Sequence, residues 1–321
     1  MTAVRRFFPQ AMLSLALIAI LPTTAGASAP SAKHREALTT VNMALLPVEP
    51  TAQAMYAKHR GFFRQQGIDA NIHVLGDAPQ VVAALLSGEV QFAALNTGGL
   101  AVLKSRGAPV KVVAAGALYR GVAPTTALVA APGKRITGPR DLVGKRVALD
   151  APNNIAHVGL LKWMKRNGLS ADDIRLVEMP FVDMIGPLKR GTIDAAVLPE
   201  PYLTLATQQG ARRVATIFDA VCSSDCLLTF FVARKDVDAN LAARFRNAIQ
   251  ASAVWANQKK NQRASGAILA KYAPIDNAVI RKMTRTSFLP RLRPGLAQQW
   301  IDAFAEFGVI PQSFKAIDLV K

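Results

Sequence analysis

Asn96, Thr97, Gly98 and Gly99 follow directly on the apolar run 90–95. An apolar run of strand length that does not alternate is covered on both faces, as strands of parallel α/β sheets are. Ligands of such sheets bind at the carboxyl ends of the strands, so this loop stands where a ligand would. Adjacent glycines let backbone N–H groups approach a bound molecule, or they merely serve a turn; the loop alone fits both. The chemistry implied is capture more than bond-making. His34, His59, His73 and His157 have no metal-ligand spacing, and no phosphate-binding loop, nucleophile elbow or zinc-protease motif occurs. Triads built from distant positions leave no such local trace. Cys222 and Cys226, in VCSSDC, can close a small disulfide loop in an oxidising compartment or stay as thiols. Two cysteines alone do not make a structural zinc site. No metal or cofactor is expected.

The elements that must position these residues follow from caps and periodicity. Thr51 can cap a helix with the apolar face Met55, Tyr56, His59, Phe62 and Phe63, which Gly67 stops. A strand at 68–75 follows. Asp77 stands three residues before Gln80, a capping-box spacing, and opens a helix that buries Val81, Val82, Leu85 and Leu86 before Gly88. The strand 90–95, a helix at 100–105 and a strand at 110–115 complete a first α/β unit. A second begins with a short helix at Pro139 and Asp141 and a strand at 145–150 leading to Ala151-Pro152-Asn153-Asn154. Val158, Leu161 and Met164 then describe a helix that Gly168 ends. Strands at 174–179 and 193–198 alternate with helices at 184–189 and 202–209. After a strand at 227–233 the chain is helical, lined by Leu241, Phe245, Ile249 and Val254 and then by Leu296, Trp300, Phe304 and Phe307. A helical block without a sheet of its own must cover one, and the first unit is the economical choice.

The chain has 321 residues, more than one core usually serves, so two lobes are expected. Arg5 and Arg6, an apolar stretch at 11–21 and Ala25-Gly26-Ala27 make a secretory signal, cleaved after Ala27, through either the general or the twin-arginine route. Residues 28–40 are expected to be a loose mature terminus. Removing the first 27 residues lowers the formal charge from +18 by two arginines. The basic residues are scattered and no nucleic-acid motif accompanies them, so the charge favours encounter with anions in general and no nucleic-acid partner is expected.

The motifs GFFRQQGID, LLSGEVQFAALNTGG, GAPVKVVAAG, DLVGKRVAL and LPEPY resemble, in that order, the periplasmic solute-binding proteins of nitrate, sulfonate and taurine ABC importers. The likeness covers about 41–233 and implies an α/β type II periplasmic-binding fold, two lobes joined by two crossover strands near 118–126 and 227–233. Residues 41–122 would open lobe 1, 123–230 form lobe 2, and 231–321 return to lobe 1. It also implies an exported monomer, not an enzyme, that carries a small anion or zwitterion to a membrane permease. Relatives that bind pyrimidine precursors, and enzymes of the same fold, supply the competing readings.

In that fold the cleft is lined by strand-end loops and helix N-termini, whose N–H groups and positive dipole ends suit an oxyanion. The resemblance nominates Pro47 and Thr51 from the loop before the first helix, Thr51 as contact or cap, together with Asn96, Thr97 and Gly98. From the second lobe it nominates Asn153, Asn154 and His157, then Asp183, Glu200 and Tyr202. Asp183 can instead cap a helix, Glu200 can pair across the lobes, and His157 can be packed in the structure. Arg120, in the first crossover, can contact an anion or form a hinge salt bridge.

Overall fold

The computed structural model describes residues 37–320. The expected leader, and residues 28–36 of the expected loose terminus, lie outside the described residues. Thr39 already opens a strand.

The chain runs through β1 (Thr39–Leu45), α1 (Gln53–His59), α2 (Phe62–Gln65), β2 (Ile68–Val74), α3 (Ala78–Ser87), β3 (Phe92–Asn96), α4 (Thr97–Ser105) and β4 (Val110–Ala115). The single helix expected after Thr51 is two, because Gly61 sits at φ 75° and breaks it before Gly67 stops it. Asp77 caps α3 as its spacing predicts, accepting from Gln80 N at 2.8 Å while Gln80 Nε2 donates back at 2.6 Å. Leu86, expected in the core, faces outward.

The crossover strand β5 (Ala117–Tyr119) leads to β6 (Thr126–Ala130), β7 (Arg146–Leu149), α5 (Ile155–Arg166), β8 (Arg175–Glu178), α6 (Phe181–Arg190), β9 (Ala195–Pro199), α7 (Tyr202–Gln208) and β10 (Arg212–Ala215). The chain returns through β11 (Cys226–Leu227) and β12 (Thr229–Arg234). It ends in α8 (Ala239–Ala256), α9 (Gln262–Leu269), α10 (Asn277–Ile280), the short strand β13 (Ser287–Phe288) and α11 (Gln298–Glu306). A disulfide joins Cys222 to Cys226, the first residue of β11.

Two five-stranded sheets result, ordered β2-β1-β3-β12-β4 and β8-β7-β9-β6-β10. The orders correspond position for position. In each, three parallel strands are followed by an antiparallel one, and that strand is the crossover delivered from the other half: β12 in the first sheet, β6 in the second. A small sheet, β11-β5-β13, ties the crossovers to the C-terminal segment. Strands β6 and β9 are buried at every position, which is why they do not alternate.

Helix α8 covers the first sheet, as a helical block without its own sheet must. Phe245 stacks on Phe92 with ring centroids 3.9 Å apart and meets Phe63 at 5.1 Å. Val254, expected on the same stripe, is exposed. Helix α11 packs on α4 of the first half and also reaches α5 of the second.

Candidate functional site

The carboxyl ends of both sheets face one cavity of about 80 Å³. One wall comes from the first half, with Leu46, Val48, Pro50 and Thr51 before α1, Val81 and Val82 of α3, and Asn96 and Gly99 at the start of α4. The other comes from Thr126, Asp150, Asn154 to Ala156 at the start of α5, Phe181 at the start of α6, Pro199 and Phe218. A wider vestibule of about 430 Å³ shares Ala78, Val82, Asn96, Gly99 and Asn154 with it and adds Asn153 and Arg106.

The four-residue loop after β3 is not a loop. Asn96 caps α4, its side chain accepting from Gly99 N at 2.8 Å, so Thr97 and Gly98 lie in the first helical turn. Asn96 and Gly99 line the cavity. Thr97 is fully buried, its hydroxyl donating to Leu227 O at 2.5 Å. Gly98 faces away: a Cβ there would lie 1.9 Å from Phe304 Cζ, so its missing side chain lets α11 approach.

Before α1, Thr51 lines the cavity, but its hydroxyl donates to Leu46 O at 2.6 Å and Val48 O at 3.0 Å instead of capping the helix. Pro47 lines neither cavity nor vestibule. The loop is held from below by a buried pair that sequence reasoning missed. Arg285 Nε lies 2.8 Å from Glu49 Oε1, and Tyr56 Oη donates to Glu49 Oε2 at 2.8 Å. Only the fold brings position 285 beside position 49.

In the second half Asn154 caps α5, accepting from Ala156 N at 2.9 Å and His157 N at 3.0 Å. Its Nδ2 donates to Asp150 Oδ1 at 2.8 Å. Asn153 takes a left-handed conformation, φ 59°, which asparagine tolerates better than most residues, and stands in the vestibule. His157 lines neither space; its Nδ1 accepts from Asn153 N at 3.0 Å, and burial lowers its pKa. Asp150, at the carboxyl end of β7, was not singled out from the sequence although it directly precedes Ala151-Pro152-Asn153-Asn154. It is 3% exposed, and burial pushes its carboxyl up to about 6.

The remaining nominees stand off the cavity. Asp183 falls in the first turn of α6 without capping it. Tyr202 is buried, stacked on Phe181 with centroids 6.1 Å apart, so Phe181 supplies the aromatic wall expected of Tyr202. Glu200 is fully buried and accepts from Thr204 N at 3.0 Å, Thr204 Oγ1 at 2.9 Å and Thr284 N at 3.2 Å. Its carbonyl accepts from Glu49 N at 2.9 Å, so it bonds across the halves, the second of the roles open to it. Burial pushes its carboxyl up to about 7. Arg120 lies outside the cavity, 3.7 Å from Asp225 beside the disulfide loop, with both side chains about half exposed.

Two sheets of matching order, exchanging one strand each through crossovers and enclosing a small cavity at their carboxyl ends, define a periplasmic-binding fold. The solved structures agree. The alkanesulfonate-binding protein SsuA from Xanthomonas axonopodis pv. citri, bound to MOPS, superposes with a TM-score of 0.72 at 17% identity, covering 88% of this chain and 98% of that one. The periplasmic nitrate-binding protein NrtA from Synechocystis PCC 6803 gives 0.74 at 14% identity, covering 88% and 85%. The chain belongs to the NMT1/THI5-like family, whose model matches residues 50–262. It is also similar to the taurine-binding periplasmic protein of Escherichia coli (strain K12), 29% identical over 149 residues. That match spans 46% of this chain and 45% of the relative, less than half the length of either.

Proposed function

We propose that this chain is the substrate-binding component of an ABC importer. It works in the periplasm, captures a small organic anion or zwitterion of the sulfonate or taurine type, closes over it and delivers it to a membrane permease. The observation that carries this reading is the cavity itself, buried between the carboxyl ends of two sheets and ringed by the N-termini of α3, α4, α5 and α6. Helix N-termini favour the acidic end of such a ligand. Two halves joined through crossovers and the C-terminal segment suit hinge closure. The relatives' named ligands, taurine, alkanesulfonate and nitrate, point to the same chemistry. No bond is made or broken in this reading, and the lining of amides, hydroxyls, one carboxylate and aliphatic walls supports it.

The test is calorimetry and thermal denaturation of the purified protein against sulfonates, nitrate and short carboxylates. A ligand at a hundred times its Kd stabilises the folded state by about 2.7 kcal/mol, which a melting curve resolves. Absence of heat and of any melting shift across the panel removes the reading. Phe181 and Phe218 on the wall favour one alternative, an aromatic or pyrimidine ligand. Mass spectrometry of ligand that copurifies with the native protein decides between the two.

A further inference from the structure

The cavity carries charge of one sign only. No lysine, arginine or histidine is among the described residues that line it, and its single ionisable side chain is Asp150. This carboxylate forms no ion pair among the described residues; Asn154 Nδ2, a neutral donor, is its side-chain partner. Among the described residues lining the vestibule, the basic side chain is Arg106. A buried carboxylate without a counter-charge costs several kcal/mol, and a fold keeps one most readily where a ligand supplies the missing charge. The field of Asp77, which caps α3 in the opposite half, adds to the negative potential there.

We propose that Asp150 is the charge-recognition group of the cleft and that the ligand is an organic ammonium compound, with its nitrogen on Asp150 and a body of a few carbon atoms against the aliphatic wall. This rests on the solute-receptor reading and narrows it: an ω-amino acid zwitterion fits, whereas nitrate or an unsubstituted alkanesulfonate does not. A simple anion would meet no basic side chain in the cavity and would be repelled by Asp150. A zwitterion places its ammonium on Asp150 and its acid group toward a helix start. The start of α6, which no side chain caps, and that of α4 are both at the wall. Closure is driven in the same way, since an ammonium group between Asp150 of one half and the field of Asp77 from the other relieves like-charge repulsion as the halves approach.

The decisive experiment is titration calorimetry of the full chain with probes that differ only by the amine. Taurine is paired with ethanesulfonate and β-alanine with propionate, and propylamine serves as the amine-only member. The amine-bearing member of a pair is expected to bind at least about tenfold more tightly, the value of one charge-assisted hydrogen bond. Asp150→Asn, nearly isosteric, is expected to abolish that preference and leave ethanesulfonate binding unchanged or stronger. Ethanesulfonate or propionate binding as tightly as its amine partner overturns the proposal and leaves the receptor reading standing. So does an Asn variant that keeps the preference. Binding by none of the probes, with no thermal stabilisation by nitrate or longer sulfonates, overturns both. The wild-type comparison stands even if the variant fails to fold.

Discussion

Among single residues, two buried carboxylates mark where this molecule departs from a plain core. Burial pushes Glu200 up to about 7 and Asp150 up to about 6 against ordinary values of 4.5 and 3.8. Because each pKa is raised in the folded state, the folded protein holds the proton more tightly than the unfolded chain does between the two values. Their contribution to stability therefore falls as pH rises through that window and levels off above about pH 7, whereas His157 and His59, whose pKa values burial lowers, contribute with the opposite sign. The loss attributable to Glu200 is up to roughly 3 kcal/mol. Urea denaturation from pH 4.5 to pH 8 is expected to show this decline, with a smaller slope in Glu200→Gln. A wild-type slope no more negative than that of Glu200→Gln would contradict the burial argument. The sequence shows Glu200 in LPEPY and Asp150 at a strand end, but not which is buried against donors and which faces a cavity. That depends on Thr284 and Asn154, one of them 84 residues away.

At the level of elements, local signals placed most strands and helices to within a few residues. Caps and apolar periodicity act over one turn or one strand, and tertiary contacts did not override them at α3, α5, β2 or β4. The informative miss is α4. Two glycines and a threonine read as a loop, yet Asn96 caps a helix there and Gly98 serves the crossing of α4 with α11. Nothing local signals that Phe304, two hundred residues later, needs the space. Gly98→Ala would ordinarily favour a helix by about 1 kcal/mol. Here the new methyl collides with the Phe304 ring, and overpacking of this kind costs roughly 1–3 kcal/mol. The variant is expected to melt at lower temperature than the wild type, with Gly98→Ala/Phe304→Leu recovering part of the loss. A variant more stable than the wild type would show that the α4 and α11 contact is loose.

For the molecule as a whole, the question is how firmly the halves are held together around the cavity. Glu306 of α11, a helix packed on α4 of the first half, pairs with both Lys162 and Lys165 of α5 in the second, the latter at 3.0 Å. These ion pairs bridge the halves through α11 and α5, while Glu200, bonded to Thr284 and Glu49, bridges near the crossovers. Partly exposed pairs are each worth about 0–1 kcal/mol, so in the proposed receptor reading the latch would tune closure without dictating it. Glu306→Gln is expected to speed ligand release roughly two- to fivefold in stopped-flow displacement of a fluorescent ligand, an effect that shrinks at high salt. A release rate that ignores both the substitution and the salt would show that these pairs play no part in closure. The sequence by itself determined the alternation of strands and helices, the two-lobed plan and the strand ends at which a ligand could sit, because periodicity and caps are short-range. Only the tertiary structure decided which strand-end residues face the cavity. Thr97, Gly98, Glu200 and Arg120 are each claimed by a partner far along the chain, Leu227, Phe304, Thr284 and Asp225 respectively, and burial against such partners is invisible until the chain has folded. Asp150 is bonded by near neighbours, the side chain of Asn154 and the backbone at 150 and 151, and lines the cavity.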